Sequence, residues 1–95
     1  MGVSITILCD IDPMAYHLDE VALHAANSDF KLRSANLINV RVGETIVWEK
    51  VQRLWYDLYL KDKLGKKYVM KGFYLDADKT IKLTDILNSK LPMPY

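Results

Sequence analysis

The stretch TIVWEKVQRLWYDLYLKDKLG, residues 45–65, carries the strongest periodic pattern in the chain. Its apolar residues recur every three to four positions, as they do along one side of an α-helix. This stripe consists of Val47, Val51, Leu54, Trp55 and Leu58, and it is widened at one edge by Trp48 and Tyr59. Thr45 is a favourable N-cap residue, and Gly65 suits the left-handed conformation that ends many helices. The pattern predicts a helix that begins at Thr45 and ends near Gly65.

Another helix is predicted closer to the N-terminus. Asp12 followed by Pro13 is typical of a helix start, because the carboxylate can cap free N–H groups and proline is favoured in the first turn. The apolar residues that follow fall on one side of a helical wheel. They are Met14, Leu18, Val21, Ala22 and Ala25. We therefore expect this helix to reach about Asn27.

The remaining apolar segments have the composition of strands. The β-branched residues of segment 3–11 and the alternation in segment 68–75 each predict a strand. Segment 30–42 predicts two short strands in a hairpin or one long bent strand. Segment 80–83 predicts a short edge strand, after which Thr84 and Asp85 can cap a final helical turn that extends to Leu91.

This order of elements predicts one compact α+β domain over residues 1–95. The expected fold is a ferredoxin-like sandwich (β-α-β-β-α-β) with a short C-terminal extension, in which both helices pack on one face of an antiparallel sheet. A ubiquitin-like roll is the alternative.

Composition restricts the setting in which the protein works. The single cysteine, Cys9, cannot form an internal disulfide and lies in an apolar run, which predicts a reducing, cytoplasmic location. No apolar stretch approaches the roughly 20 residues needed to cross a bilayer, so no membrane partner is expected. The four glycines are far apart and form no phosphate-binding loop, and no cofactor is predicted.

Charge is distributed unevenly along the chain. Residues 1–30 contain five acids and no lysine or arginine, which gives −5, whereas residues 31–95 contain thirteen bases and seven acids, which gives +6. Opposite charges on two parts of one small domain favour recognition of a charged partner or pairing into a homodimer.

The helix predicted at residues 45–65 offers a candidate partner surface. Tyr56 and Leu60, one turn apart, would project away from its buried stripe, and Trp48 and Tyr59 at the stripe's edge could join them. We therefore predict a small non-enzymatic protein-binding module, an inhibitor or adaptor that acts by covering a partner's surface or by self-association. Phage- and virus-encoded inhibitors include small domains of this kind.

Asp10 provides an enzymatic alternative. It follows the first predicted strand in Ile7-Leu8-Cys9-Asp10-Ile11. A small ferredoxin-like protein with an aspartate at this place resembles the Cas2 family of CRISPR-associated nucleases. The resemblance implies a magnesium-dependent nuclease or phosphohydrolase with Asp10 as its catalytic residue.

Two further clusters are candidate sites. His17, Glu20 and His24 would share one face of the first helix, where imidazole and carboxylate groups can bind a metal ion, but a solvated helix face is the favoured explanation and no metal site is predicted.

Lysines surround Gly65 and could contact a phosphate backbone, which gives nucleic-acid binding as another alternative. The candidate residues are Lys63, Lys66, Lys67 and Lys71.

Overall fold

A computed structural model describes residues 2–89. These residues form seven strands followed by one short helix. The strands are β1 (Val3–Leu8), β2 (Leu18–Ala25), β3 (Lys31–Asn36), β4 (Thr45–Val51), β5 (Trp55–Asp62), β6 (Lys67–Tyr74) and β7 (Lys79–Lys82). The helix, α1, comprises Leu83–Leu87.

The strands are divided between two sheets. β1 lies at the centre of a three-stranded sheet, where it pairs antiparallel with β4 and parallel with β7. The other sheet has the order β3-β2-β5-β6 and is antiparallel throughout. As a result β3 and β4, although consecutive in sequence, are edge strands of different sheets and are not hydrogen-bonded to each other.

The core lies between the inner faces of the two sheets. Alternate residues of β1 and β5 supply much of it, because alternate side chains of a strand share a face. Its fully buried members include Ile5, Ile7, Val21, Leu23, Leu58, Leu60, Leu75 and Ile86. The helix α1 contacts β5, β6 and β7, so it covers the side of the molecule where β6 and β7 are the edge strands. On the opposite side, β3 and β4 have no helix between them in residues 2–89.

Both predicted long helices are wrong, because the segments assigned to them form strands. Segment 45–65 contains β4, β5 and part of the turn before β6, and segment 13–27 contains a turn and β2. Asp12 nevertheless makes a local contact, because the Met14 N–H donates a hydrogen bond to its side chain at 3.1 Å. The turn that follows ends at His17, whose φ of 55° is left-handed, and Leu18 begins β2.

Strand bulges explain why the pattern imitates a helix. The register of β2 against β5 shifts between Leu18 and Glu20, so the buried residues Leu18, Val21 and Leu23 are spaced by three and then by two. In β4 a similar shift leaves Trp48 and Val51, three residues apart, both buried. Buried residues that are three positions apart at a bulge and two positions apart beside it resemble the apolar pattern of a helix.

The ferredoxin-like order is not confirmed, and the ubiquitin-like alternative fails for the same reason, since each requires a long helix against one sheet. The molecule is mostly β-sheet with one short helix, which is consistent with a small α+β fold. Strands β1, β6 and β7 confirm the predictions for segments 3–11, 68–75 and 80–83. Segment 30–42 contains one short strand, β3, followed by a loop, so neither predicted form of it is observed.

The segment predicted as a C-terminal extension belongs to the fold itself up to residue 89, because β7 pairs with β1 and Leu83 and Ile86 of α1 are buried in the core. Its last six residues lie outside the described part of the chain. No helix within residues 2–89 has the length and apolar character needed to cross a membrane.

Candidate functional site

The residues predicted to bind a partner do not form an exposed surface. Trp48, Tyr56 and Leu60 are buried in the core. Tyr59 lies on the opposite, outer face of β5, where the centre of its ring is 4.5 Å from that of His24. The expectation that Tyr56 and Leu60 are exposed is wrong, because the helix on which it depended does not exist.

An open groove lies where the two sheets separate, between β3 and β4. It has a volume of about 380 Å³. We define this inter-sheet groove by its lining residues, which are Leu23, Ala25, Leu32, Arg33, Lys50, Val51, Gln52, Leu54 and Tyr56. Leu23, Val51 and Tyr56 are buried, whereas Leu54 is 48% exposed and Leu32 is also exposed. The groove is therefore an opening from solvent onto the edge of the core.

Both strands that border the groove are bulged there. Leu32 is the extra residue of β3, since Leu23 pairs with Arg33 while His24 pairs with Lys31. The bulge in β4 contains Lys50, whose φ of 59° is left-handed. Bulges bend an edge strand and interrupt its hydrogen-bonding pattern, so the backbone at the groove is irregular on both sides.

The charged groups of the groove are positive. Neither Arg33 nor Lys50 belongs to the ion pairs found among residues 2–89. Burial raises the pKa of the Tyr56 phenol, and the positive charge of Arg33 acts in the opposite direction. The Tyr56 hydroxyl donates to the Gln52 carbonyl at 2.7 Å and stays neutral. The groove therefore combines apolar side chains with two cations that have no carboxylate partner in the described chain.

Two exposed aromatic side chains lie on the larger sheet, and one of them directly follows the groove residue Leu54. Trp55 directly follows Leu54 and is 58% exposed. Its ring centre is 5.2 Å from that of Tyr74, which is also exposed. These rings contribute little to the core, and tryptophan, tyrosine and arginine are the residue types most often found to dominate binding energy at interfaces.

The lysines predicted to bind nucleic acid are not brought together as one free cationic surface. Lys71 lies 3.4 Å from the buried carboxylate of Asp57, and the Lys66 ammonium lies 5.0 Å from the centre of the Tyr68 ring. Lys67 borders a depression on the outer face of the larger sheet, and Lys63 lies in the β5–β6 turn.

Ion pairs in that depression explain much of the uneven distribution of charge along the chain. Lys31 is 2.8 Å from Glu20, and Lys61 is 3.7 Å from the same carboxylate. The nearby Lys31 ammonium lowers the pKa of Glu20 and keeps it ionised. Acids of the N-terminal third thus pair with later lysines inside one molecule.

The candidate metal ligands are separated by the strand. His17 lies in the turn before β2, while Glu20 and His24 lie within it. Four residues of strand span about 13 Å, so these two side chains cannot share an ion as they would at helical spacing. Among residues 2–89, no group of three or more His, Cys, Asp or Glu side chains is arranged to hold a metal ion.

Asp10 has a structural role. The Thr84 backbone N–H donates to one of its carboxylate oxygens at 3.2 Å, and the Thr84 hydroxyl donates to the other. Asp10 thus ties the end of β1 to the first turn of α1. Both carboxylate oxygens therefore already accept hydrogen bonds from Thr84, and no group of three or more His, Cys, Asp or Glu side chains within residues 2–89 is arranged to hold a metal ion around Asp10. A nuclease or phosphohydrolase that uses Asp10 stays a prediction.

We expect Asp10→Asn to weaken the acid sensitivity of folding. Partial burial alone would raise the pKa of Asp10, but the two Thr84 hydrogen bonds outweigh it, so the pKa lies below its usual value. A carboxyl group with a lowered pKa stabilises the folded state above its unfolded pKa of about 4 and loses this contribution as the pH falls through the folded pKa. Asp10→Asn should cost about 1 kcal/mol at neutral pH.

Urea unfolding of wild type and Asp10→Asn between neutral and acidic pH measures this effect. The free energies of unfolding of wild type and Asp10→Asn should become equal as the pH falls. Thr84→Val removes the hydroxyl donor, so it should bring the folded pKa of Asp10 closer to its unfolded value and make the loss of stability at acidic pH smaller. Parallel curves for wild type and Asp10→Asn would show that the Thr84 contacts do not stabilise the ionised carboxylate.

The residues that form the groove were not recognised from the sequence. The helical pattern places Val51 and Leu54 in a buried stripe, and it does not single out Arg33 or Lys50. A usable signal was present: the polar pair Gln52-Arg53 interrupts two runs rich in β-branched and aromatic residues, which is typical of two strands and a connection.

Comparison with known protein families, with curated proteins and with solved structures finds no match to this chain. The groove and its exposed neighbours are therefore interpreted from their own geometry and chemistry.

Proposed function

We propose that the protein is a small non-enzymatic protein-binding module, an inhibitor or adaptor, whose binding site is the inter-sheet groove. The observation that carries the proposal is an apolar opening to the core between two edge strands, bordered by Arg33 and Lys50 and followed by the exposed ring of Trp55.

The composition of this surface supports a protein ligand. Leu32 and Leu54 expose apolar area at the mouth of a concave site, and burying such area drives most protein association. Trp55, which follows the groove residue Leu54 in the chain, offers a large, rigid and exposed contact surface. A partner segment with apolar side chains would fill the groove and remove these groups from water.

Electrostatics further restricts the partner. Arg33 and Lys50 favour a segment that carries carboxylates, since opposite charges across an interface increase the association rate and the selectivity.

The nucleic-acid alternative receives less support, because Lys71 and Lys61 are already next to acidic side chains.

The proposal includes a reducing, cytoplasmic setting, in which the buried free thiol of Cys9 stays reduced. Burial raises the pKa of Cys9, which keeps the thiol protonated and unreactive. A phage or viral source and a homodimer stay predictions.

Selection from a displayed library of random peptides tests this function. We expect wild-type protein to enrich peptides that combine apolar and acidic residues. Leu54→Asp should weaken their binding by about thirtyfold or more, the effect of losing about 2 kcal/mol at a central contact. Leu64→Asp is the matched control, because Leu64 is exposed on the turn at the opposite end of β5.

Thermal unfolding of both variants confirms that they fold. If no peptide is enriched, or if Leu54→Asp binds as tightly as wild type, the groove is not a protein-binding site. Loss of binding in Leu64→Asp alone would assign the site to the opposite end of the molecule.

A further inference from the structure

We infer that the segment bound in the inter-sheet groove is an amphipathic helix whose carboxylates face Arg33 and Lys50. This inference rests on the proposed function and specifies the partner. Its basis is the irregular backbone on both sides of an apolar, positively charged groove.

The edge strands argue against an extended ligand. A peptide that binds by strand addition needs a regular free edge with which to exchange backbone hydrogen bonds. At the groove, β3 is interrupted by the bulge at Leu32, and β4 by the left-handed Lys50. Proteins use bulges and charged residues to prevent such pairing.

The regular parts of both edges run away from the groove, with only Arg33 at its border, and they are short. Residues 33–36 of β3 and residues 45–48 of β4 pair without interruption with β2 and β1. Each of these regular runs has four residues, whereas a typical strand has about five to six. An added strand would therefore gain few backbone hydrogen bonds.

A helical ligand does not need these backbone groups. Its own N–H and C=O groups are paired within the helix, so it can bind through side chains alone. Leucine, valine and tyrosine side chains line the groove, and apolar residues at helical spacing on a ligand would pack against them. Helices with one apolar face commonly bind grooves of this kind.

Charge determines which amphipathic helix fits. Arg33 and Lys50 have no acidic partner within residues 2–89, so carboxylates beside the ligand's apolar stripe would pair with them. Those residues contain only the five-residue α1, which is too short to supply such a helix. The described residues therefore do not supply the ligand, and the proposal places it on a partner protein.

Two synthetic probes of equal length and charge test the inference. One has leucines at helical spacing among glutamates, and the other alternates valine with glutamate. The tryptophan fluorescence of the full chain, to which Trp48 and Trp55 both contribute, measures binding. The helical probe should bind at least about tenfold more tightly than the alternating probe, with an affinity that falls as salt increases.

A charge swap identifies the contacts. Lys50→Glu should weaken the helical probe, and a version of that probe with lysines in place of glutamates should bind Lys50→Glu more tightly than wild type. Lys63→Glu, in the turn at the far end of β5, is the control and should change neither affinity. Because Lys50 is exposed, the variant is expected to fold, and thermal unfolding checks this.

The outcomes separate the two proposals. Tighter binding of the alternating probe would overturn the helical ligand in favour of strand addition and leave the groove as the site. Failure of both probes, with groove-dependent peptides still enriched from the library, would overturn only the helical inference. Failure of the probes and the library together would overturn both. A dimer of wild type that Leu54→Asp converts to monomer, measured by light scattering, would show instead that a second copy occupies the groove.

Discussion

Leu60→Ala should lower the free energy of unfolding by about 3 kcal/mol, whereas Leu64→Ala should change it by less than about 0.5 kcal/mol. Leu60 has 0% exposure and pairs in register with Val21 of β2 and Tyr68 of β6. Leu64 is 93% exposed in the following turn. The two substitutions delete the same atoms, so the difference between their losses in free energy of unfolding measures the effect of burial. Urea unfolding followed by fluorescence measures both values.

This comparison also distinguishes the two arrangements of segment 45–65. In a helix with Leu60 opposite the buried stripe, Leu60→Ala would have little effect on stability. In the two-sheet structure it leaves a cavity at the centre of the larger sheet, because the neighbouring strands cannot collapse into the space. Equal, small effects of the two substitutions would contradict the arrangement of β5 described here.

Asp57→Ala should be the most destabilising polar substitution, with a loss of about 3–5 kcal/mol. The Asp57 carboxylate is 1% exposed. One oxygen accepts the Gly72 N–H at 2.8 Å, and the other accepts the Asn27 N–H at 3.1 Å. Asn27 and Gly72 both have left-handed φ values, 61° and 69°, at places where the regular pairing is interrupted. Alanine would leave both backbone donors without their partner.

Two variants define the cause of this loss. Asp57→Asn keeps one acceptor oxygen but presents an NH₂ group to the other donor, so its stability should lie between those of wild type and Asp57→Ala. Asp76→Ala, at an exposed aspartate after β6, should have a small effect. Chemical unfolding gives the free energies, and amide hydrogen exchange of Asn27 and Gly72 reports the two donors directly. Unchanged protection of both amides in Asp57→Ala would contradict this role.

Local patterns predict some elements of this fold well. Segments 3–11 and 68–75 are rich in residues suited to strands, and both contain strands. Asp12 was expected to cap a helix and instead accepts the Met14 N–H in a turn, because this contact depends only on neighbouring residues. The turn at Gly65 is also observed, with a φ of 90°.

The predicted helices are wrong in the segments where the apolar pattern results from pairing between distant strands. The bulge that places both Trp48 and Val51 in the core is a property of the β1–β4 pair. The candidate site fails for the same reason. Tyr56 and Leu60 were assigned to a surface because helical geometry separates them from the buried stripe, whereas alternation along β5 places them with Leu58 in the core.

Local sequence is enough to specify the strand character of β1, β6 and β7, the turns after Asp12 and around Gly65, and the apolar environment of Cys9. These features depend on interactions between neighbouring residues, which composition and spacing record directly. The division into two sheets, the bulges in β3 and β4, and the groove that they border arise only in the folded molecule. Those features depend on which distant strands pair and in what register, as when Val21 pairs with Leu60, and short-range periodicity does not specify that choice.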